Sequence, residues 1–81
     1  MLIDNSKALM KARSTAQILK AIDCKHLQLV RVAGHAYWYF MYDNAVVYET
    51  ESVYTPRLSD ITLEQWVEIG EDFAGKVESN S

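Results

Sequence analysis

With 81 residues, 49% hydrophobic and 23% charged, the chain suffices for one small domain and is too apolar for intrinsic disorder. Its single cysteine, Cys24, excludes an intramolecular disulfide, and no apolar run approaches the roughly 20 residues of a membrane span. The net charge of −3 is unevenly spread: residues 1–34 carry a net +4, residues 35–59 a net −2 and residues 60–81 a net −5.

The opening stretch MLIDNSKALMKARS has neither the basic n-region nor the apolar core of a signal peptide, so we expect a soluble, cytoplasmic protein. Residues 5–23 read as a helix. Ala8, Ala12, Thr15, Leu19 and Ile22 recur at steps of four and three and share one face, with Asp4, Asn5 or Ser6 as N-cap. Lys7 and Lys11 flank this stripe on one side, Arg13 and Lys20 on the other, where long stems can cover apolar surface.

Three strands follow, at about 26–33, 36–42 and 45–54, all rich in β-branched and aromatic residues. Gly34-His35 and Asp43-Asn44 separate them as two-residue turns, which predicts an antiparallel meander with the aromatic strand in the middle. That register sets Leu29 opposite Phe40, Arg31 opposite Trp38, Phe40 opposite Val47 and Trp38 opposite Glu49. Pro56 ends the sheet. A second helix, about 63–76, opens with a Thr62/Gln65 capping box and an Ile61/Trp66 hydrophobic staple. Its inward stripe is Trp66, Ile69, Phe73 and Val77. Gly75 is expected near its end, and the tail 78–81 is expected to be disordered.

The expected fold is therefore one α+β domain, α-β-β-β-α, a three-stranded antiparallel meander with both helices packed on one face. Strand parity assigns Leu27, Leu29, Trp38, Phe40 and Tyr42 to the core, with Arg31 and Glu49 flanking Trp38. The opposite face carries Val30, Val32, Tyr37, Tyr39, Met41, Val46 and Tyr48. An uncovered face this apolar calls for a cover, so we expect a homodimer or a partner there. The alternative, one helix on each face, leaves no spare surface.

Candidate chemistry is sparse. Cys24, His26, His35 and Asp23 fall short of a zinc pattern, and His35 and Asp43 stand at opposite ends of the middle strand, about 20 Å apart. Only three glycines are present, too few for a glycine-rich phosphate loop. We assign no catalytic residue, no metal ligand and no cofactor. The ribonucleoprotein motif would need a second β-α-β half, and the acidic middle and end of the chain repel phosphate. Glu64, Glu68, Glu71 and Asp72 form an acidic ridge on the second helix, with Lys76 as the counter-charge of Asp72. Like-charge i,i+4 pairs along it cost roughly 0.2–0.5 kcal/mol each. The ridge, with Arg57 in the adjacent loop, is the candidate docking surface for a basic partner.

The stretch YWYFMYDNAVVYETESVYTPRLSDITLEQWVE, about residues 37–68, resembles small bacteriophage and prophage proteins of unassigned function. The resemblance implies an accessory protein that binds a host protein, acidic members of such groups being able to imitate the charge of DNA. It carries over no catalytic residues, and the first helix departs from it. The expected function is a non-enzymatic protein-binding accessory protein acting through the acidic helix and the tyrosine-rich sheet face. The alternatives are a nucleic-acid-binding protein using the sheet tyrosines and a small enzyme.

Overall fold

The computed structural model describes residues 11–80. The first described helix, α1, spans Thr15–Ile22. The expected helical residues 5–10, with the caps Asp4, Asn5 and Ser6 and with Ala8 and Lys7, lie outside the described residues. Residues 11–14 are not helical: Lys11 bridges Thr62 in antiparallel fashion instead. The local reason is a capping box. Ser14 Oγ accepts the amide of Gln17 at 3.1 Å, and Gln17 Oε1 reaches back to the amide of Arg13 at 2.8 Å. Together they stop the helix where Ser14 is extended. Asp23 closes α1 in the left-handed conformation, its N–H donating to Leu19 O.

The sheet comprises β1 (Leu27–Arg31), β2 (Trp38–Asp43) and β3 (Tyr48–Val53), antiparallel in the order β1-β2-β3. Between β1 and β2 the register is the expected one, with Leu29 opposite Phe40 and Arg31 opposite Trp38. Between β2 and β3 it is not. Trp38 faces Val53, Phe40 faces Glu51 and Tyr42 faces Glu49, a slip of four residues from the predicted pairing. The turn is centred on Ala45-Val46 because the side chains before it serve as its acceptors. Asp43 Oδ1 takes the Ala45 amide at 3.0 Å, and Asn44 Oδ1 takes those of Val46 and Val47 at 3.0 and 2.7 Å. Ala45 consequently adopts φ 75°. A slip of four preserves parity, so each strand residue keeps its face and only its neighbours change. Glu49 therefore does not flank Trp38.

After β3 the chain makes a 3₁₀ turn at Leu58–Asp60 and enters α2, Leu63–Asn80. The expected capping box is present: Thr62 Oγ1 accepts the Gln65 amide at 3.1 Å and Gln65 Oε1 accepts that of Thr62 at 3.0 Å. α2 runs past Gly75 and through residues 78–80, where a frayed tail is expected. Two contacts hold that last stretch down. Val77 is buried in the core, and the Tyr42 hydroxyl donates to Glu78 Oε2 at 3.1 Å. Gly75 is exposed and compatible with the helix at only the ordinary cost of a helical glycine.

Both helices pack on the same face of the sheet. Ile18 and Ile22 from α1 and Trp66, Phe73, Ala74 and Val77 from α2 form one core with Leu27, Leu29, Phe40 and Tyr42. The arrangement with one helix on each face is thereby excluded. Trp66 is fully buried, stacks edge-on against Trp38 and Phe40, and donates from Nε1 to Leu58 O at 2.8 Å. At Gly70 α2 lies close against both α1 and the sheet. A Cβ there would overlap Ile22 Cδ1 and stand 3.1 Å from two ring carbons of Phe40. No described helix is long and apolar enough to cross a membrane.

Candidate functional site

Parity and burial together leave the second face of the sheet uncovered by any described residue. It presents Gln28, Val30 and Val32 from β1 and its extension, Tyr37, Tyr39 and Met41 from the middle, and Tyr48, Thr50, Ser52 and Tyr54 from the third strand and its end. Tyr48 is 62% exposed and Tyr54 80%, and Val46 at the hairpin tip is 89% exposed. The rings of Tyr37 and Tyr54 lie 5.3 Å apart with a 38° tilt, and His35 stands 6.0 Å from Tyr37, so one end of the face carries a short aromatic row.

The distribution of charge over the sheet is inverted relative to an ordinary solvated face. Arg31, Glu49 and Glu51 point to the helix side, where Glu51 Oε1 meets Lys76 Nζ at 3.8 Å. The open face carries one charge, Asp43 at its hairpin end, and that carboxylate accepts a turn amide. A sheet face meant only for water carries lysines and glutamates that deter association. This one does not.

The acidic ridge is exposed as expected: Glu64, Glu68, Glu71 and Asp72 all face solvent on α2. Lys76 is not the partner of Asp72; it reaches across to Glu51 on β3 instead. None of the four ridge carboxylates has an ion pair among the described residues. Arg57 pairs weakly with Asp60, Nε to Oδ1 at 3.8 Å, and lines a cleft that has no ridge residue among its described walls.

That cleft, about 850 Å³, is walled by Lys11, Ala12, Arg13, Arg31, Trp38 and residues 56–59. Reading by segments does not reveal it, because its cations come from three separate stretches of chain. A smaller depression of about 500 Å³ gathers Asp23, Cys24, His26, Glu71 and Glu78 beside the buried Tyr42. Among the described residues no group of three or more His, Cys, Asp or Glu is arranged to hold a metal ion. His35 sits beside Tyr37, far along the chain from this depression. Burial raises the Tyr42 phenol above its ordinary pKa, and the hydrogen bond to Glu78 and the charge of its carboxylate push in the same direction.

Comparison with protein-family models, with curated proteins and with solved structures yields no match.

Proposed function

We propose that this chain is a small, non-enzymatic protein-binding accessory protein of phage or prophage origin. It self-associates through the tyrosine-rich face of its sheet and offers the acidic ridge of α2 to a basic host partner. The observation that carries this reading is the open face itself: apolar and tyrosine side chains, and every other strand charge directed to the helix side. A face whose one charge, Asp43, stands at its hairpin end can meet its own copy across a two-fold axis without setting like charges against each other at its centre. Tyrosines suit such a surface because the ring is buried while the hydroxyl stays hydrated.

Its size sets the strength of association. Three strands about 4.8 Å apart and six residues long, at about 3.3 Å each, give a projected patch of roughly 300 Å². Side-chain relief and the flanking Val46 and Tyr54 enlarge it, yet it stays below the roughly 800 Å² per partner of a standard interface. The dimer is accordingly a reversible one, in the micromolar range. Light scattering that gives a monomer throughout that range removes the dimer from this reading.

The ridge has its own test. Its like-charge neighbours Glu64/Glu68 and Glu68/Asp72 are maintained at a small cost to the helix, which supports a use for them outside the fold. Replacing Glu68→Lys together with Asp72→Lys is expected to abolish retention of basic host proteins. An unchanged set of retained proteins sinks the ridge as a docking surface. Nucleic acid is disfavoured at the sheet face, which offers rings for stacking but no cation to neutralise phosphate.

A further inference from the structure

Half of the chain's eight basic residues line a single cleft. Lys11, Arg13, Arg31 and Arg57 meet there, and no acidic residue is among the nine described residues that wall it. The protein as a whole is acidic, so this concentration is a local feature and not a by-product of composition. We propose that the cleft is a binding site for a phosphorylated small molecule, and this proposal is independent of the open sheet face.

The backbone that presents the cations is held at each point. Lys11 is bridged to Thr62 at the start of α2, and the Arg13 amide is held by Gln17. Arg31 ends β1 opposite Trp38, and the Arg57 amide donates to Asp60 Oδ2 at 3.2 Å. Lys11, Arg13 and Arg31 have no ion pair among the described residues, and only Arg57 has one, with Asp60. Four cations converging around a single weak counter-charge, Asp60, repel one another, and an anion relieves that repulsion while accepting hydrogen bonds from the guanidinium forks.

A second observation points to a ligand. Trp38 lines the cleft, and its indole Nε1–H is buried with no hydrogen-bond partner, whereas the other indole, Trp66, has one. Buried donors are almost always satisfied, so this unpaired one calls for an explanation. It is closed to solvent as it stands, so an acceptor carried by a ligand reaches it only if binding moves the indole, and its resonance reports that movement. The remaining wall, Ala12, Pro56, Leu58 and Ser59, is apolar apart from the serine, and the cleft volume of about 850 Å³ exceeds what a bare phosphate fills. Room and wall chemistry fit an organic group carried on the phosphate.

The test follows the two indole N–H resonances of the full chain by ¹H–¹⁵N correlation NMR. Inorganic pyrophosphate is titrated at constant ionic strength, followed by a nucleoside diphosphate as the organic arm. The Trp38 resonance is expected to shift saturably with a dissociation constant below about 1 mM, and more tightly for the nucleoside diphosphate. Arg31→Gln or Arg13→Gln is expected to weaken binding at least tenfold. Lys20→Gln, a cation on α1 outside the cleft, is expected to leave it unchanged. The Trp66 resonance, kept in place by its bond to Leu58, reports that each variant is folded. A linear shift that chloride reproduces overturns the site, as does equal weakening by Lys20→Gln and Arg31→Gln. An oligonucleotide that binds more tightly than the nucleoside diphosphate at the same salt overturns the small-molecule class.

Discussion

Gly70 and Gly75 sit five residues apart in the same helix and should respond in opposite ways to the same substitution. In a helix interior glycine is about 0.8–1.0 kcal/mol less favourable than alanine. At Gly75, where a Cβ meets nothing within 4 Å, Gly75→Ala should realise that whole gain. At Gly70 a methyl group overlaps Ile22 Cδ1 and presses on Phe40, which is fully buried. Ile22 can turn its terminal methyl aside for about 0.5–1.5 kcal/mol. The Phe40 ring, wedged against Trp66 and Phe73, has no space to retreat into. Overpacking of this kind costs about 1–3 kcal/mol, which outweighs the propensity gain and leaves Gly70→Ala roughly 1–2 kcal/mol less stable. For a domain of this size each kcal/mol moves Tm by about 4–8 °C. Thermal unfolding followed by circular dichroism should therefore show Gly75→Ala several degrees above the parent and Gly70→Ala clearly below it. If both variants gain equally, α2 does not press on α1 and β2 at Gly70, and the packing of both helices on one sheet face is wrong there.

Ala45 holds a positive φ in the β2–β3 turn, so Ala45→Gly should stabilise by up to about 1 kcal/mol in denaturant titration. A loss instead would contradict the turn position. Ser14→Ala removes the cap of α1 and should cost about 1 kcal/mol, whereas no effect would mean that the helix does not start there. Tyr42 has a folded-state pKa raised above its unfolded value by burial and by Glu78. Its neutral form therefore contributes stability that is complete below the unfolded value near 10 and is lost as pH rises through the folded one. Tyr42→Phe should flatten the alkaline limb of the stability profile. Spectrophotometric titration of the parent should show one tyrosine ionising after the others, and uniform ionisation would contradict the Tyr42–Glu78 contact.

Local signals were sufficient wherever they acted alone. The Gly34-His35 turn and the alternation in LQLVR and YWYFMY specify the β1–β2 register, and Thr62 with Gln65 marks the start of α2 in four residues. Where two local signals compete, pattern reading picks between them without knowing the tertiary cost of each. Ser14-Thr15-Ala16-Gln17 spells a capping box, but the apolar spacing running back through Ala12 and Ala8 suggests an earlier start. The structure leaves residues 11–14 outside α1 instead, with Lys11 bridged to Thr62 and Ser14 extended as the cap. Asp43-Asn44 has the composition of a turn centre, yet its side chains serve as acceptors for the turn centred two residues later.

The surfaces divide in the same way. The open tyrosine face follows from parity, which survived the four-residue slip because four is even. The cleft does not follow from any segment. Arg31 reads as a partner of Trp38 and Glu49, and Arg57 as a lone base in an acidic half, until folding gathers both with Lys11 and Arg13. A convergence of distant residues is a property of tertiary structure alone. The Lys76–Glu51 pair, replacing an i,i+4 contact with Asp72, is a smaller case of the same effect and, being exposed, contributes little to stability.

Sedimentation equilibrium of the parent chain and of Tyr39→Lys bears most directly on the sheet face. Tyr39 lies at the centre of that face, between Val30 and Ser52, so a lysine there sets two like charges against each other across any two-fold pairing. The parent is expected to show a reversible monomer–dimer equilibrium in the micromolar range, and Tyr39→Lys a folded monomer. A parent that sediments as a monomer at every concentration, or a dimer untouched by Tyr39→Lys, contradicts self-association through the tyrosines.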